Sequence, residues 1–575
     1  MTAQSIFVLM VFVGTIIGLI KYQQRPSLVF GVTLLILYAS NMVTTEQVLR
    51  SISNQGLVTL ILLLLCSLAL EKTHFLRVIA THIIQKSYNG TWWRLFGFTI
   101  FSSALLNNTA VVSTMLAPIR NNRYHHASKL LLPLSYAAVL GGTLTLIGTS
   151  TNLIVNSLVL DAGLPSLHFF DFTLVGSCLV IVCGLCLWFL SRFLPEYKAD
   201  SELRESYFID ATVTEDSSLI GRTIEDNGLR NLTSLFLVEV VRGNHLISPV
   251  APTEVLQVKD RLVFSGDVTK VKQLNQISGL SLFAHDQGLL LDNLTEVVIR
   301  PESVLLGKTL KRAGFRALFD AAVVAVKRDG EKVSGKLGDL VLKAGDYLVL
   351  AAGDDFRSRR NISKNFILVS GVELDSMLSG ARALLSIVGF FVAVACAAFG
   401  IFSLFKGMVI FLGVLLISRC LTPGELMRRL PTDIWLIISS ALLLSYALNN
   451  SGLLEQVELL AVDYTDSISP LMALVVVYLL TWLLTELVTN NAAAALIFPI
   501  AYGFAITLDA NPMAFIMTVA FGASASFISP YGYQTNLMVF NAGSYKLSDF
   551  VKIGLPISLV YGVVAITAIT FVFGL

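Results

Sequence analysis

The sequence predicts a polytopic α-helical membrane protein in which a soluble α+β insert separates two membrane halves. Of the 575 residues, 55% are apolar and only 14% are charged, and the mean hydropathy is +0.73. Such values are far from the average usage of soluble proteins. Apolar stretches of about 20 residues, the length of helix that crosses a bilayer, recur in both halves. They stop between residues 200 and 372, where charged residues become frequent.

Ten apolar stretches form two sets of five. The first set is 4–20, 27–44, 55–71, 130–160 and 172–194, and the second is 379–402, 404–419, 431–449, 511–540 and 552–574. Between the third and fourth stretch of each set lies a further apolar segment, 91–118 or 470–505, with polar residues in its middle. Such a segment is more typical of a re-entrant hairpin than of a crossing. We therefore predict two membrane repeats, 1–199 and 373–575, each with five spans and one hairpin.

The odd number of spans determines how the two repeats are related. After five crossings the second repeat starts on the opposite face, so any structural similarity between the repeats must have inverted topology. Cytoplasmic loops are enriched in Lys and Arg, which predicts an orientation with both termini outside. In that orientation the basic residues that lie inside are Lys21, Arg25, Lys72, Arg77, Lys86, Arg94, Arg120, Arg123, Lys129, Arg192, Arg419, Arg428, Arg429, Lys546 and Lys552, whereas Arg50, Glu455, Glu458, Asp463 and Asp466 lie outside. We expect a multi-pass protein of a bacterial plasma (inner) membrane, surrounded by lipid, with a cytoplasmic insert.

The insert is expected to consist of two copies of one small domain. Short alternating stretches such as 235–241 and 322–326 are typical of strands between Gly and Asp turns. Segments 218–224 and 304–310 match in sequence, and so do 260–264 and 346–350, both at an offset of 86 residues. This offset predicts tandem domains at 200–287 and 288–372.

The glycine-basic-threonine turn and the final strand of each copy resemble the C-terminal lobe of RCK-type regulators of potassium transport (TrkA-C). That resemblance implies a compact sheet with helices on one side, which can pair and can bind a small-molecule effector. It suggests a regulatory role, with dimerisation or structural support as the alternative. The chain has no GxGxxG turn, so neither NAD nor any other organic cofactor is implied.

Two uncharged polar clusters interrupt the predicted hairpins. Asn107, Asn108 and Thr109 form the first tip, and 489–491 forms the second. Each tip is followed by another polar cluster, at 149–152 and at 533–536. The number of residues from Asn108 to Asn152 is nearly the same as that from Asn490 to Asn536. Polar groups in hydrocarbon cost several kcal/mol unless they find partners. A single Ser, Thr or Asn would most often join two helices, but this repetition predicts one embedded site built twice.

Broken helices are expected beside both tips. Segment 141–152 places Gly and hydroxyl residues across a span, and 522–532 does the same with Pro530, which removes a backbone donor. The N-termini of half-helices attract anions, whereas unwound carbonyls and the side-chain oxygens of Ser, Thr and Asn suit a sodium ion. A small anionic substrate and sodium could therefore bind at the same place.

These clusters resemble those of the divalent anion/sodium symporter family, which transports sulfate or di- and tricarboxylates. The resemblance lies in the runs TELVTNNAAAALIFP (485–499), GTSTNLIV (148–155) and YQTNLMVF (533–540), and it covers both membrane halves. It implies an elevator-type homodimer. The substrate-binding residues it implies are Asn107, Asn108, Thr109, Thr151, Thr489, Asn490, Asn491 and Thr535. The sodium-binding residues it implies are Asn107, Asn108, Gly148, Asn152, Thr485, Thr489, Asn490, Ser529 and Asn536.

Departures from the family pattern favour sulfate. Asn107 replaces the first Ser of the Ser-Asn-Thr tip, Asn491 replaces its Thr, and 150–152 and 534–536 replace a Pro-Pro-Asn element. Together with the insert, these changes resemble the sulfate-type branch. We therefore predict a secondary active transporter for sodium-coupled uptake of sulfate or a similar divalent oxyanion, with a di- or tricarboxylate transporter as the alternative.

Other classes of function fit the sequence less well. An ion channel gated by RCK-like domains would need a selectivity filter of the TVGYG type, which the sequence lacks. No metal cluster, nucleophile elbow or P-loop indicates an enzyme, and a net charge of +2 gives no indication of nucleic-acid binding. The carboxylate of Glu486 lies inside an apolar hairpin, where either a structural role or a role in ion coupling is expected.

Overall fold

The computed structural model describes most of both membrane halves and the strands of the insert. The described residues are 2–22, 25–73, 83–120, 122, 124–197, 208–229, 235–243, 245–247, 250–266, 280–282, 294–300, 303–328, 331–333, 340–352, 356, 359, 361–370, 378–453 and 469–575. Arg77, Arg123 and the acidic loop at 455–466, which entered the orientation prediction, lie outside these residues. The predicted domain boundaries near 200, 287 and 372 also lie outside them.

Nine helices are described in the first half. They are α1 (Ala3–Lys21), α2 (Pro26–Ala39), α3 (Thr45–Ile52), α4 (Gln55–Glu71), α5 (Tyr88–Leu105), α6 (Asn108–Arg120), α7 (Ala127–Gly142), α8 (Ser150–Asp161) and α9 (Thr173–Leu190). Local capping explains several of their starts. Thr44 and Gln47 form a reciprocal capping box at α3, and Asn54 accepts hydrogen bonds from the first backbone N–H groups of α4.

The helices of the insert and the second half continue this numbering. They are α10 (Phe315–Phe319), α11 (Ile362–Asn365), α12 (Gly380–Ala398), α13 (Leu404–Ile417), α14 (Pro423–Arg429), α15 (Thr432–Asn450), α16 (Pro470–Leu487), α17 (Asn490–Thr507), α18 (Pro512–Ser524), α19 (Gln534–Ala542) and α20 (Leu547–Phe573). Thr422 and Glu425 form a capping box at α14, and prolines occupy the first positions of α16 and α18.

The structure has the helices of a multi-span membrane protein. Within the described residues, eight helical segments are long and apolar enough to cross a bilayer. Both arms of the second predicted hairpin, α16 and α17, have 18 residues and are among the eight. Their length would allow each to cross, so the re-entrant geometry of 91–118 and 470–505 stays a prediction.

The membrane helices form two packed groups. In one group α2 packs on α15 and α4 packs on α12 and α13, which brings together the first three predicted spans of each half. In the other, α5 packs on α7, α16 and α17 pack on α18, and α9 packs on α20. The second group therefore contains both polar tips and both predicted helix breaks. The groups meet where α8 contacts α4 and where α17 contacts α15.

The insert contains two five-stranded antiparallel sheets. The first is formed by β1 (Phe208–Val213), β2 (Leu235–Arg242), β3 (His245–Ile247), β4 (Arg261–Gly266) and β5 (Leu280–Leu282), in the order β3-β2-β4-β1-β5. The second is formed by β6 (Leu294–Ile299), β7 (Ala321–Arg328), β8 (Glu331–Lys332), β9 (Tyr347–Ala352) and β10 (Phe366–Ser370), in the order β10-β6-β9-β7-β8. Read from its other edge, the second order repeats the first.

An arginine-aspartate pair occurs at the same place in each sheet. Arg242 donates two hydrogen bonds of 2.9 Å to Asp260, and Arg328 donates two of 2.7 Å to Asp346. Both aspartates are buried, and such two-point pairs hold a guanidinium and a carboxylate in one fixed geometry. The two domains are thus braced in the same way.

The second insert domain packs directly on the group of helices that carries the tips. Gly345, in the left-handed turn before β9, lies against Leu537 of α19, and its carbonyl accepts a hydrogen bond from Asn541. Arg120, at the end of α6, lies 3.4 Å from a carboxylate oxygen of Glu296. Its guanidinium also lies 4.6 Å from the centre of the Tyr347 ring. The insert is therefore docked on α6 and α19, the helices that follow the first tip and the second break.

Candidate substrate and sodium site

The first tip lies at the two-residue break between α5 and α6. Asn108 begins α6 and is almost fully buried, and its amide nitrogen donates a hydrogen bond of 2.7 Å to the hydroxyl of Tyr533. Its amide oxygen accepts a hydrogen bond from Ser103. Asn107 accepts one from the backbone N–H of Thr109, and Thr109 donates one of 3.2 Å to the side chain of Gln534. The first tip thus reaches the start of α19 in the opposite half.

The second tip lies between α16 and α17 and makes the reciprocal contacts. The amide nitrogen of Asn490 donates a hydrogen bond of 2.7 Å to Thr151, and Ser150 donates one of 3.0 Å to Asn491. Thr489 caps α17 by accepting from a backbone N–H group. The second tip thus reaches the start of α8, in the first half. Each tip is held by the broken helix of the other half.

The helix breaks beside the tips are stabilised by equivalent asparagines. In the first half, Asn152 donates to the Thr145 carbonyl at 2.9 Å, across the break between α7 and α8. In the second half, Asn536 donates to the Ser526 carbonyl at 2.9 Å, across the break between α18 and α19. A buried carbonyl without a hydrogen-bond donor costs free energy at low dielectric. The two asparagine amides therefore replace hydrogen bonds that a continuous helix would make. Gly148 lies in the first break, where an added Cβ would be 2.5 Å from a backbone oxygen.

The hydroxyl residues that lie five positions before Asn108 and Asn490 also occupy equivalent places in the two halves. Ser103 donates to the Ala138 carbonyl, and Thr485 donates to the Ala523 carbonyl, each over 2.7 Å. Both carbonyls belong to the helix that precedes the break. The first arm of each pair is thereby fixed to its broken partner.

The predicted site residues take several different positions in the structure. Those brought together across the halves are Asn108, Thr109, Thr151, Asn490 and Asn491, whereas Asn107 and Thr489 stabilise their own tips. Gly148, Asn152, Ser529 and Asn536 lie in or beside the breaks. Thr535 is fully buried, and its hydroxyl lies 2.9 Å from that of Ser135 on α7. In this structure Thr535 therefore contacts α7.

Three contributing side chains were not among the predicted site residues. Tyr533 receives the hydrogen bond from Asn108, and its hydroxyl also lies 3.5 Å from Thr149. Gln534 pairs with Thr109, and Ser135 contacts Asn536 at 2.7 Å. Tyr533 and Gln534 belong to the second polar cluster, so the signal was present in the sequence. Ser135 gives no such signal, since a lone serine in an apolar helix has many structural uses.

The arrangement can bind ions through neutral groups. The contacts that join the tips to the opposite half use amides and hydroxyls, which can donate to an anion or coordinate a cation. No group of three or more His, Cys, Asp or Glu side chains that could hold a metal ion occurs among the residues whose placement is described. Sodium does not need such a group, because carbonyl and side-chain oxygens are sufficient.

Comparison with known proteins gives one family. A family model described as citrate transporter matches residues 7–520. An uncharacterized transporter of Synechocystis is 31% identical over 94% of this chain and 92% of its own length. Sodium/sulfate cotransporter 1 of Chlamydomonas reinhardtii is 28% identical over 63% of this chain and 42% of its own length. A sodium-dependent dicarboxylate transporter of Staphylococcus saprophyticus is 25% identical over 26% and 28%, respectively.

The matches confirm the resemblance to sodium-coupled anion transporters that the polar runs indicated, whereas the RCK-like nature of the insert stays a prediction. The family consists of secondary transporters, so neither an enzyme nor a gated channel fits the chain. By the extent of the family match and the identity to the Synechocystis transporter, the chain belongs to the citrate transporter (CitMHS) family of membrane transporters.

Proposed function

We propose that the protein couples the entry of sodium to the uptake of sulfate or a similar divalent oxyanion. The observation that carries the proposal is the reciprocal contact of the tips, in which Asn108 meets Tyr533 and Asn490 meets Thr151. These groups are neutral, so a divalent anion would be bound without a fixed counter-charge that prevents its release. Sodium ions bound beside it would balance its charge. Relatives named sodium/sulfate cotransporters support this choice.

The transport mechanism we propose is of the elevator type. The helices that carry the tips and breaks form one packed group, and the first three predicted spans of each half form the other. In the proposed cycle the group with the tips and breaks moves against the other group and carries both ions across the membrane. The equivalent asparagines and hydroxyls of the halves support an inverted repeat, with the first tip entering from the cytoplasm and the second from outside. A homodimer would keep the group formed by the first three predicted spans of each half stationary.

We further propose that the cytoplasmic insert inhibits transport. Its second domain contacts α6 and α19, the helices that follow the first tip and the second break. A small pocket beside the first tip has walls from both parts of the chain: Thr109, Gln534 and Leu537 on the membrane side, and Arg300 and Gly345 on the insert. A docked insert would therefore hinder the exit of substrate at the cytoplasmic side of this tip. Binding of a small effector to the insert would change the contact.

Uptake by proteoliposomes tests the substrate and its coupling ion. The purified protein is expected to accumulate radiolabelled sulfate when a sodium gradient points inward, and to stop when potassium replaces sodium. Unlabelled selenate, a divalent oxyanion of the same shape, is expected to compete. Accumulation of sulfate that is independent of sodium would reject the coupling ion.

The second candidate is a di- or tricarboxylate transporter. The description of the matching family and the name of the Staphylococcus relative favour it. The same vesicles should therefore be offered radiolabelled succinate and citrate. Sodium-dependent entry of either, with no entry of sulfate and no competition by it, would replace the sulfate proposal.

A further inference from the structure

The carboxylate of Glu486 binds three consecutive backbone N–H groups of the second helix break. Phe527 and Ile528 donate to one carboxylate oxygen, each over 2.9 Å, and Ser529 donates to the other over 2.8 Å. Glu486 lies near the end of α16, three residues before the second tip. Its side chain therefore bridges the arm that leads to the tip and the unwound segment opposite.

The first half has no equivalent charge. Ser103 and Thr485 make the same hydrogen bond to the helix before the break, so the residues that follow them, Ala104 and Glu486, correspond. At the first break the corresponding hydrogen bond is between neutral groups: a side chain of the broken segment, the hydroxyl of Thr145, donates to the backbone carbonyl of Ala104. The two halves therefore differ at one position by a full negative charge.

We propose that Glu486 is a positioning residue that gives the second half the tighter of two sodium positions. This inference rests on the proposed sodium coupling. Glu486 binds no substrate itself. It acts by holding the unwound segment in one conformation and by placing a negative charge beside it.

The geometry of the peptide groups explains the first effect. In a trans peptide the carbonyl points away from the following N–H, so three N–H groups that face the carboxylate turn the carbonyls of residues 526–528 away from it. The Ser526 carbonyl accepts from Asn536 and the Phe527 carbonyl accepts from Tyr136. No described residue donates to the Ile528 carbonyl, which leaves this oxygen to interact with a cation.

The charge of Glu486 explains the second effect. The carboxylate accepts a hydrogen bond from the backbone N–H of Ser529, and Glu486 directly follows Thr485 in the chain. The family resemblance assigns both Ser529 and Thr485 to sodium. At the low dielectric of the protein interior an anion at this distance stabilises a cation far more than it would in water. The first break lacks this contribution, which makes the two cation positions unequal.

Two substitutions separate the role of charge from that of side-chain length. Glu486→Gln keeps the length but loses the charge, and its amide nitrogen would face a backbone N–H. Glu486→Asp keeps the charge but is shorter. The quantity to measure is the sodium concentration that gives half-maximal sulfate uptake at saturating sulfate. It is expected to rise about ten-fold or more in Glu486→Gln, as expected for losing a charge-assisted hydrogen bond, and less in Glu486→Asp.

A matched control and a binding measurement complete the experiment. Asp509→Asn removes an exposed carboxylate from a left-handed turn that Asn also tolerates, and it should leave sodium dependence unchanged. Sodium should raise the melting temperature of wild type and of Glu486→Asp more than that of Glu486→Gln, which also reports on variants that transport poorly. A folded Glu486→Gln protein with the half-saturating sodium concentration of wild type would overturn the inference. So would an effect of Asp larger than that of Gln. If sulfate uptake by the wild-type protein itself did not depend on sodium, the proposed function would be rejected instead.

Discussion

Single amide side chains hold the two halves together at the site. The amide nitrogen of Asn490 donates a hydrogen bond of 2.7 Å to Thr151 of the opposite half, and both residues are buried. A buried polar group that loses its partner costs about 1–3 kcal/mol. We therefore propose that Asn490 serves both ion binding and the position of the tip.

Replacing Asn490 by alanine is expected to abolish sulfate uptake. The change removes the amide that meets Thr151 and leaves the threonine hydroxyl without this donor. Asn450→Ala is the control, because Asn450 is an exposed asparagine at the end of α15, outside the site. Radiolabelled uptake per amount of folded protein measures both. Normal transport by Asn490→Ala would remove this residue from the site.

Replacing Tyr533 by phenylalanine is expected to weaken sulfate binding and to leave folding intact. The hydroxyl of Tyr533 accepts from Asn108 and lies near Thr149, and the ring stays in place without it. Loss of one such hydrogen bond corresponds to about 1 kcal/mol, or roughly five-fold in the half-saturating sulfate concentration. The concentration dependence of uptake measures it. An unchanged half-saturating concentration would show that this contact plays no part in substrate binding.

The sequence indicated where the helices break at the tips, because a polar residue in an apolar segment is visible in the sequence itself. It could not predict the partner of each tip. Asn108 and Tyr533 are 425 residues apart, and their contact depends on how the halves pack, which no local pattern encodes. Glu486 was noticed for its charge, whereas its three backbone partners became apparent only in the structure.

At the scale of elements, the breaks depend on close packing of neighbouring helices. Gly554 of α20 lies so near the second break that an added Cβ would be 2.2 Å from the Phe527 carbonyl oxygen. The same carbonyl is bonded by Tyr136. Because α20 packs this closely on the second break, a shift of α20 would also displace the unwound segment that Glu486 holds.

Replacing Gly554 by alanine is therefore expected to reduce sulfate uptake severely and to lower the melting temperature. Overpacking of this kind typically costs about 1–3 kcal/mol. Gly413→Ala is the matched control in another helix, since nothing lies within 4 Å of its added Cβ. That control should be neutral or slightly stabilising, because alanine favours a helix. Equal behaviour of the two variants would mean that α20 does not support the break.

The breaks were predictable as elements because Gly, hydroxyl residues and Pro530 mark them. Their exact ends were not. Span 130–160 is two helices, α7 and α8, and span 511–540 is likewise α18 and α19. The partner that replaces the lost helical hydrogen bonds lies ten residues away in one case, from Asn536 to Ser526, and sequence patterns are too coarse to select it.

At the scale of the whole molecule, the insert and the membrane helices meet through an ion pair, hydrogen bonds and apolar contacts. Arg120 and Glu296 join them at 3.4 Å, with both side chains largely buried. Surface pairs contribute little to stability, but a partly buried pair that loses one partner leaves an uncompensated charge. This pair is therefore suited to testing whether docking controls transport.

Reversing either charge is expected to increase the rate of sulfate uptake. Arg120→Glu places two carboxylates together and Glu296→Arg places two guanidinium groups together, so each would loosen the docked domain. The double variant restores opposite charges and should return the rate towards that of wild type. Lys259→Glu is the control, since Lys259 pairs with Glu215 on the exposed surface of the first insert domain. Equal rates in all these proteins would show that the contact has no inhibitory role.

The left-handed turn before the fourth strand of each insert domain also bears on the evolutionary history of the chain. Gly345 has a φ of 79° and touches Leu537, whereas Lys259, 86 residues earlier, has a φ of 66° in the same turn and faces solvent. Tandem copies begin with identical sequences and diverge as one of them takes on a contact. A lysine at position 345 would collide with α19, so selection against large side chains should act on the second copy alone. Among relatives that carry both copies, we expect glycine to persist at the later position while the earlier one varies freely.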